Sequence, residues 1–237
     1  METLKKLFLY ILLLFGKILG QTYEITVLGY HTTDIHQTIH DSGRIEFKTQ
    51  NRGLADIIWP MNNYYNTIYN IENFSLIEWS KNIEQGTYEN KYHCIIDSKK
   101  NMSYNNNNLI KTLEPVHTIF SLLAMIQNTP SNIIDTKWFN FEHEGKFGKA
   151  RFLWADSSMA WNGRDSILCD HYRLDLNITD TLKSIGTSKD YFMKNIINDT
   201  FIRELWVSKT IKKRIIVAKV QTPWISLTAR INSNKEN

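Results

Sequence analysis

The chain is poor in cysteine, with two in 237 residues, and its ten glycines and four prolines stand scattered rather than clustered. Cys94 and Cys169 lie far apart, beside only His93 and His171 respectively, and neither place shows the four-ligand spacing of a zinc site. In an oxidising compartment the two could pair, but a chain of this size can bury a core without covalent staples, so two buried free thiols are the leading expectation. The dispersed glycines exclude a Gly-rich phosphate loop, and no G-x-S-x-G elbow or Ser-x-x-Lys set is present. No Pro- or Ser-rich linker divides the chain, and no internal repeat is visible. Charge of either sign is nearly balanced, Lys+Arg 28 against Asp+Glu 24, which does not argue for a nucleic-acid partner.

Long apolar runs are also missing, with one exception at the start. Lys5 and Lys6 precede Leu7 to Phe15, an unbroken apolar stretch, and Gly16 to Gly20 leads to polar Gln21 and Thr22. Basic, apolar, then small is the order of a secretory signal peptide. The run is shorter than the roughly 20 residues that a spanning helix needs. Residues 1–20 are therefore expected to be a signal peptide, and residues 21–237 a single β-rich domain, periplasmic or secreted, with no membrane span after cleavage. No cysteine follows the apolar run, so a lipoprotein start is not expected.

The body of the chain reads as short strands between Gly, Asn and Asp clusters. Ile45 to Lys48 alternates after the turn signal Asp41-Ser42-Gly43. Leu54 to Trp59, Tyr64 to Ile71, Ser75 to Ser80 and Tyr88 to Asp97 continue the series, and Asn105 to Asn108 marks a loop tip. Tyr172, Leu174 and Leu176 alternate with His171, Arg173 and Asp175, and Ile225, Leu227, Ala229 and Ile231 share one face. One segment departs from this pattern. Glu114 to Asn128 places Val116, Ile119, Phe120, Leu123 and Ile126 at helical spacing, with Pro115 suited to the first turn. Tyr191 to Asn198 fits either a short helix or a loop. A sheet of many antiparallel strands with one packed helix near 114–128 is the expected fold.

Several of these segments, taken in order, resemble a known family. They are the strands across 45–59, Lys81-Asn82-Ile83-Glu84-Gln85-Gly86, the helix 114–128, and a terminal module. That module comprises Trp206-Val207-Ser208, a basic turn, Ile215-Ile216-Val217 and Ser226-Leu227-Thr228-Ala229-Arg230. Over roughly residues 23–231 the chain resembles the bacterial envelope proteins grouped as domain of unknown function family 3108. The resemblance implies a curved antiparallel sheet or open barrel, similar in outline to periplasmic lipoprotein carriers. That family has no established activity, so no functional residue carries over.

Candidate chemistry is sparse. His36 and His40, flanked by Asp34 and Asp41, could share an ion on a helix, but on a strand they would stand about 13 Å apart. Glu142 and Glu144 would share one strand face, where solvation explains them as well as acid–base work does. No metal, cofactor or catalytic residue is therefore expected. Aromatic residues are the remaining signal: Trp59, Tyr64, Tyr65, Tyr69, Phe74 and Trp79 crowd the first half, and seven more lie between Trp138 and Trp161. They serve either an ordinary β core or a concave pocket for an apolar ligand. Trp59, Tyr64, Tyr65 and Trp79 are the candidate ligand-binding residues. The leading expectation is a non-enzymatic envelope protein with a lipid, lipoprotein or other apolar partner. A structural or assembly partner of another envelope protein is the alternative, and an envelope-polymer hydrolase the third.

Overall fold

The structure is a computed structural model that describes residues 18–105, 107–112, 115–181 and 189–233. The basic start and apolar run of residues 5–15, Asn106 and Glu114 lie outside the described residues. The first half of the chain forms β1 (Ile18–Val27), β2 (Tyr30–His40), β3 (Arg44–Asn51), β4 (Asn62–Tyr69), β5 (Leu76–Gln85), β6 (Tyr88–Ile96), β7 (Asn101–Tyr104) and β8 (Asn107–Lys111). The second half forms β9 (Val116–His117), β10 (Trp138–His143), β11 (Lys146–Trp161), β12 (Ser166–Thr181), β13 (Ile202–Ser208), β14 (Ile215–Gln221) and β15 (Ser226–Ile231). Among the described residues four helices interrupt them: α1 (Leu54–Ile58), α2 (Ile119–Asn128), α3 (Ser131–Ile134) and α4 (Tyr191–Ile197).

All 15 strands belong to one open, curved sheet that does not close into a barrel. Its order is β8-β7-β6-β5-β4-β3-β2-β1-β15-β14-β13-β12-β11-β10-β9, two meanders joined where β1 meets β15. That seam runs antiparallel from Tyr23↔Ile231 to Val27↔Leu227. Among the described residues every strand pairing is antiparallel except β9 with β10, which is parallel.

Period-2 alternation sets which side chains face inward. On β3, Ile45, Phe47 and Thr49 are buried while Glu46 and Lys48 point away. On β12 the buried residues are Tyr172, Leu174 and Leu176, as the sequence pattern predicts. The β10–β11 hairpin turns on Glu144 (φ 50) and Gly145 (φ 76), two consecutive left-handed residues that match the twist of the flanking strands. Gly148, just past this turn, admits no side chain: a Cβ there would stand 2.0 Å from the Asn177 carbonyl oxygen of β12.

The α2 helix lies against strands of both meanders, β3 and β4 on one side and β9 and β10 on the other. Ile119, Leu122, Ala124, Met125 and Ile126 are buried in the main core, and the Phe120 ring sits 4.8 Å from Phe47 and 5.2 Å from Tyr65. A second, smaller cluster gathers Leu76, Trp79, Cys94, Met102, Tyr104 and Val116.

Two sequence expectations need correction. The packed helix begins at Ile119, not near 114, because Thr118 and Ser121 form a reciprocal capping box. Pro115 does not open the helix, and Val116 and His117 pair with Asn140 and Phe141 as an edge strand. The segment from Leu54 is not a strand but the short helix α1, entered through Gly53 at φ 57, and none of its residues is buried. Leu54, Ile57 and Ile58 fall at i, i+3 and i+4, a helical face that a strand reading overlooks. Tyr191 to Asn198, open between helix and loop, is helical over Tyr191–Ile197.

Candidate ligand cavity

Inward residues of β1 to β3 and β12 to β15 do not fill the space between the seam and α2. A cavity of about 170 Å³ remains. Tyr23, Ile25, Ile35 and Phe47 form one wall, and Leu174, Leu205, Ala218, Leu227 and Ala229 the other. Ile119, Phe120 and Leu123 of α2 also line it, and Phe192, Met193 and Ile196 of α4 cover it as a lid. An apolar cavity of about 150 Å³ is large enough to hold a benzene ring. The lining here is of that character, with few polar groups. One of them is distinctive: the Thr49 hydroxyl is buried and has no hydrogen-bond partner. A buried unpaired hydroxyl costs free energy that a partner would recover.

Both ends of the lid are fixed by buried charge. At its start, the Asp190 side chain caps α4 by accepting from the Met193 amide at 3.0 Å. The same carboxylate receives Lys81 Nζ at 3.1 Å, the Tyr65 hydroxyl at 3.1 Å and Gln85 Nε2 at 3.3 Å. Lys81 also pairs with Glu144, which in turn lies 3.1 Å from His143 Nε2. Burial pushes the Glu144 carboxyl up, but His143 and Lys81 outweigh it and hold the group well below the usual carboxylate range. At the other end, Arg203 of β13 donates to the Ile196, Asn198 and Phe201 carbonyls, covering the orphan acceptors where the helix stops. Burial brings this guanidinium down to about 10.

The four aromatic candidates divide among three places, and none lines the 170 Å³ cavity. Trp59 is half-exposed after α1 and meets the lid edge-on at Tyr191, ring centroids 5.7 Å apart. Tyr64 faces outward from β4, where its hydroxyl donates to Glu46 and accepts from Arg44 at 3.2 Å. Tyr65 faces inward against Phe120 and the lid's Phe192. Trp79 lies in the second cluster and donates Nε1 to Glu142 at 3.0 Å. Tyr65 and Trp79 together border a space of about 20 Å³ beside Lys81, His143 and Glu144. The cavity wall was foreshadowed by the alternation at 45–48 and 225–231. The lid carried no decisive signal, because seven residues are too few to display a helical face.

Glu142 and Glu144 do not act as a pair. Glu142 is fully buried and accepts from Trp79, from the Tyr104 hydroxyl at 2.8 Å and from the Gly145 amide at 3.0 Å. Burial nevertheless keeps its pKa above the ordinary carboxylate value. Glu144 belongs to the turn and faces Lys81 and His143. His36 and His40 also separate, toward Thr22 and Glu46 respectively. Glu24, His31 and Asp34 bring potential ligand atoms within 4.8 Å of one another, but Arg52 Nε already sits 2.8 Å from Asp34 where a cation would bind. Cys94 and Cys169 are both free and buried, in separate clusters.

No protein-family model matches the chain, and no curated protein matches it. Among solved structures it resembles the beta-barrel-like protein of domain of unknown function 1849 from Brucella abortus. The TM-score is 0.53 at 5% sequence identity, covering 91% of this chain and 95% of that one. At that identity the likeness concerns the fold alone: a β-barrel-like class, here as an open sheet. Among the described residues no helix is long and apolar enough to cross a membrane.

Proposed function

We propose that this chain is a non-enzymatic binder of a small apolar molecule, or of one end of an acyl chain, exported to the bacterial envelope. The observation that carries this reading is the lidded apolar cavity of about 170 Å³ with the unpaired Thr49 hydroxyl in its wall. An apolar ligand bearing one hydroxyl or carbonyl group satisfies both features, its body against Phe47, Leu205 and Leu227 and its polar atom on Thr49. Export is supported by the Lys5, Lys6 and Leu7 to Phe15 order in the sequence.

Native mass spectrometry of the protein purified from an envelope fraction, followed by organic extraction, tests the reading. One stoichiometric apolar molecule is expected, and Ala229→Phe, which fills the cavity from β15, is expected to abolish it while the protein stays folded. Thr49→Val is expected to weaken a polar-ended ligand about fivefold, the worth of one net hydrogen bond. A wild-type protein that stays empty, or an Ala229→Phe variant that binds unchanged, rejects the cavity as the site.

A further inference from the structure

Three neighbouring connections of the sheet order β4-β3-β2-β1-β15-β14, those of β3–β4, β1–β2 and β14–β15, emerge at the same end. The register places them there: Val27 pairs with both Tyr30 and Leu227, Thr33 with Asn51, and Gln221 with Ser226. Each connection carries large apolar side chains into solvent. Leu28 of the β1–β2 turn and Tyr30 at the start of β2 are 78% and 77% exposed, Ile57 and Ile58 of α1 are 77% and 78%, and Trp224 of the β14–β15 turn is 90%. The outward face of α1 is its apolar face, the reverse of a helix docked on its own protein. Scattered exposed apolar residues are ordinary, but a row of them along one rim marks an interaction surface.

We infer that this rim is a bilayer-docking surface whose apolar tips insert into the lipid interface. The chemistry of the rim selects this occupant. Of residues 28–30, 52–61 and 222–225, only Arg52 and Asp56 are charged, and Arg52 is already paired with Asp34. A protein partner would require matched shape and a polar border with hydrogen-bonding groups. Separate apolar tips ending in Trp and Tyr need no matched shape in the lipid interface, where those rings are favoured. The rim also adjoins the cavity, since Val220 and Leu227, which line it, form the second strand pair below the Trp224 turn. Docking stands on the rim alone. Its purpose, passing an apolar molecule between bilayer and cavity, rests on the function proposed above.

The test is flotation of the full chain with phosphatidylcholine vesicles, with and without phosphatidylglycerol, plus quenching of tryptophan emission by brominated lipid. Binding to both compositions is expected, with quenching that falls when Trp224→Phe is introduced. Ile57→Ser, Ile58→Ser and Trp224→Ser are each expected to weaken binding about tenfold, the order expected for withdrawing one large side chain from an apolar phase. The rim variants should still take up the cavity ligand in solution, and Ala229→Phe should still float, so the two readings fail separately. Equal flotation of wild type and the triple variant overturns the inference. So does a strict need for phosphatidylglycerol, or rim-dependent self-association in place of vesicle binding.

Discussion

Replacing Lys81 by Met removes the buried cation that holds the start of the lid. Lys81 is 3% exposed at its side chain, and its partners Glu144 and Asp190 are 10% and 2% exposed, so solvent screens little of the interaction. Breaking a buried ion pair by removing one partner costs about 3–5 kcal/mol, because the remaining charge is stranded. Here His143 still faces Glu144, and Tyr65 and Gln85 still donate to Asp190, which places the cost near the lower end of that range. For a domain of this size it amounts to a fall in Tm of about 6–20 °C, again toward the lower end. Urea unfolding at neutral pH measures it directly. The sign with pH also follows. Glu144 has a folded pKa below its unfolded value, so its stabilisation is complete above the unfolded value of about 4.3 and disappears as pH falls through the folded one. The deficit of Lys81→Met relative to wild type should therefore shrink on acidification, as the stranded Glu144 carboxylate takes up a proton. A loss below about 1 kcal/mol, the size of an exposed pair, refutes the assignment of Lys81 as the anchor of the lid.

Two further outcomes are expected. Arg203→Met should release the end of α4, so amide hydrogen exchange over 191–197 should accelerate while β13 keeps its protection; unchanged exchange there removes Arg203 from the lid's support. Burial raises both thiols, Cys169 to about 11, so neither should react with an aromatic disulfide reagent in the folded protein at neutral pH. Both should react on unfolding, and a fast native reaction at either would contradict its buried placement.

The strand character of the fold was legible because alternation is local: Ile45 and Phe47, or Leu174 and Leu176, announce a half-buried strand without reference to any partner. The order of the strands was not, since the pairing of β1 with β15 joins residues two hundred or more positions apart. At α2 the apolar spacing ran back through Val116 and concealed the capping box, so the expected start fell several residues early. At α1 the strand reading came from apolar composition, whereas Gly53 and the exposure of the segment decide for a helix. The cavity was harder to foresee. Aromatic crowding picked out Trp59, Tyr64, Tyr65 and Trp79, but β4 turns Tyr64 and Tyr65 to opposite faces, and Trp79 is engaged by Glu142. The cavity is lined by aliphatic and aromatic residues of strands and helices distant in sequence, which no local pattern brings together.

The seam between β1 and β15 has a consequence for biogenesis. Each meander is assembled from neighbouring hairpins and can form as the chain is made, but the middle of the sheet is completed only when the last strand is delivered. Until then β1 presents an open hydrogen-bonding edge, and the cavity, which straddles the seam, has only half its wall. A chain cut short before Ser226 would leave that edge permanently available to other strands. Conversely, joining the two seam strands by a short linker and opening the chain between β8 and β9 would place the new ends at the natural borders of the sheet. Such a permuted chain would make its central hairpin early rather than last.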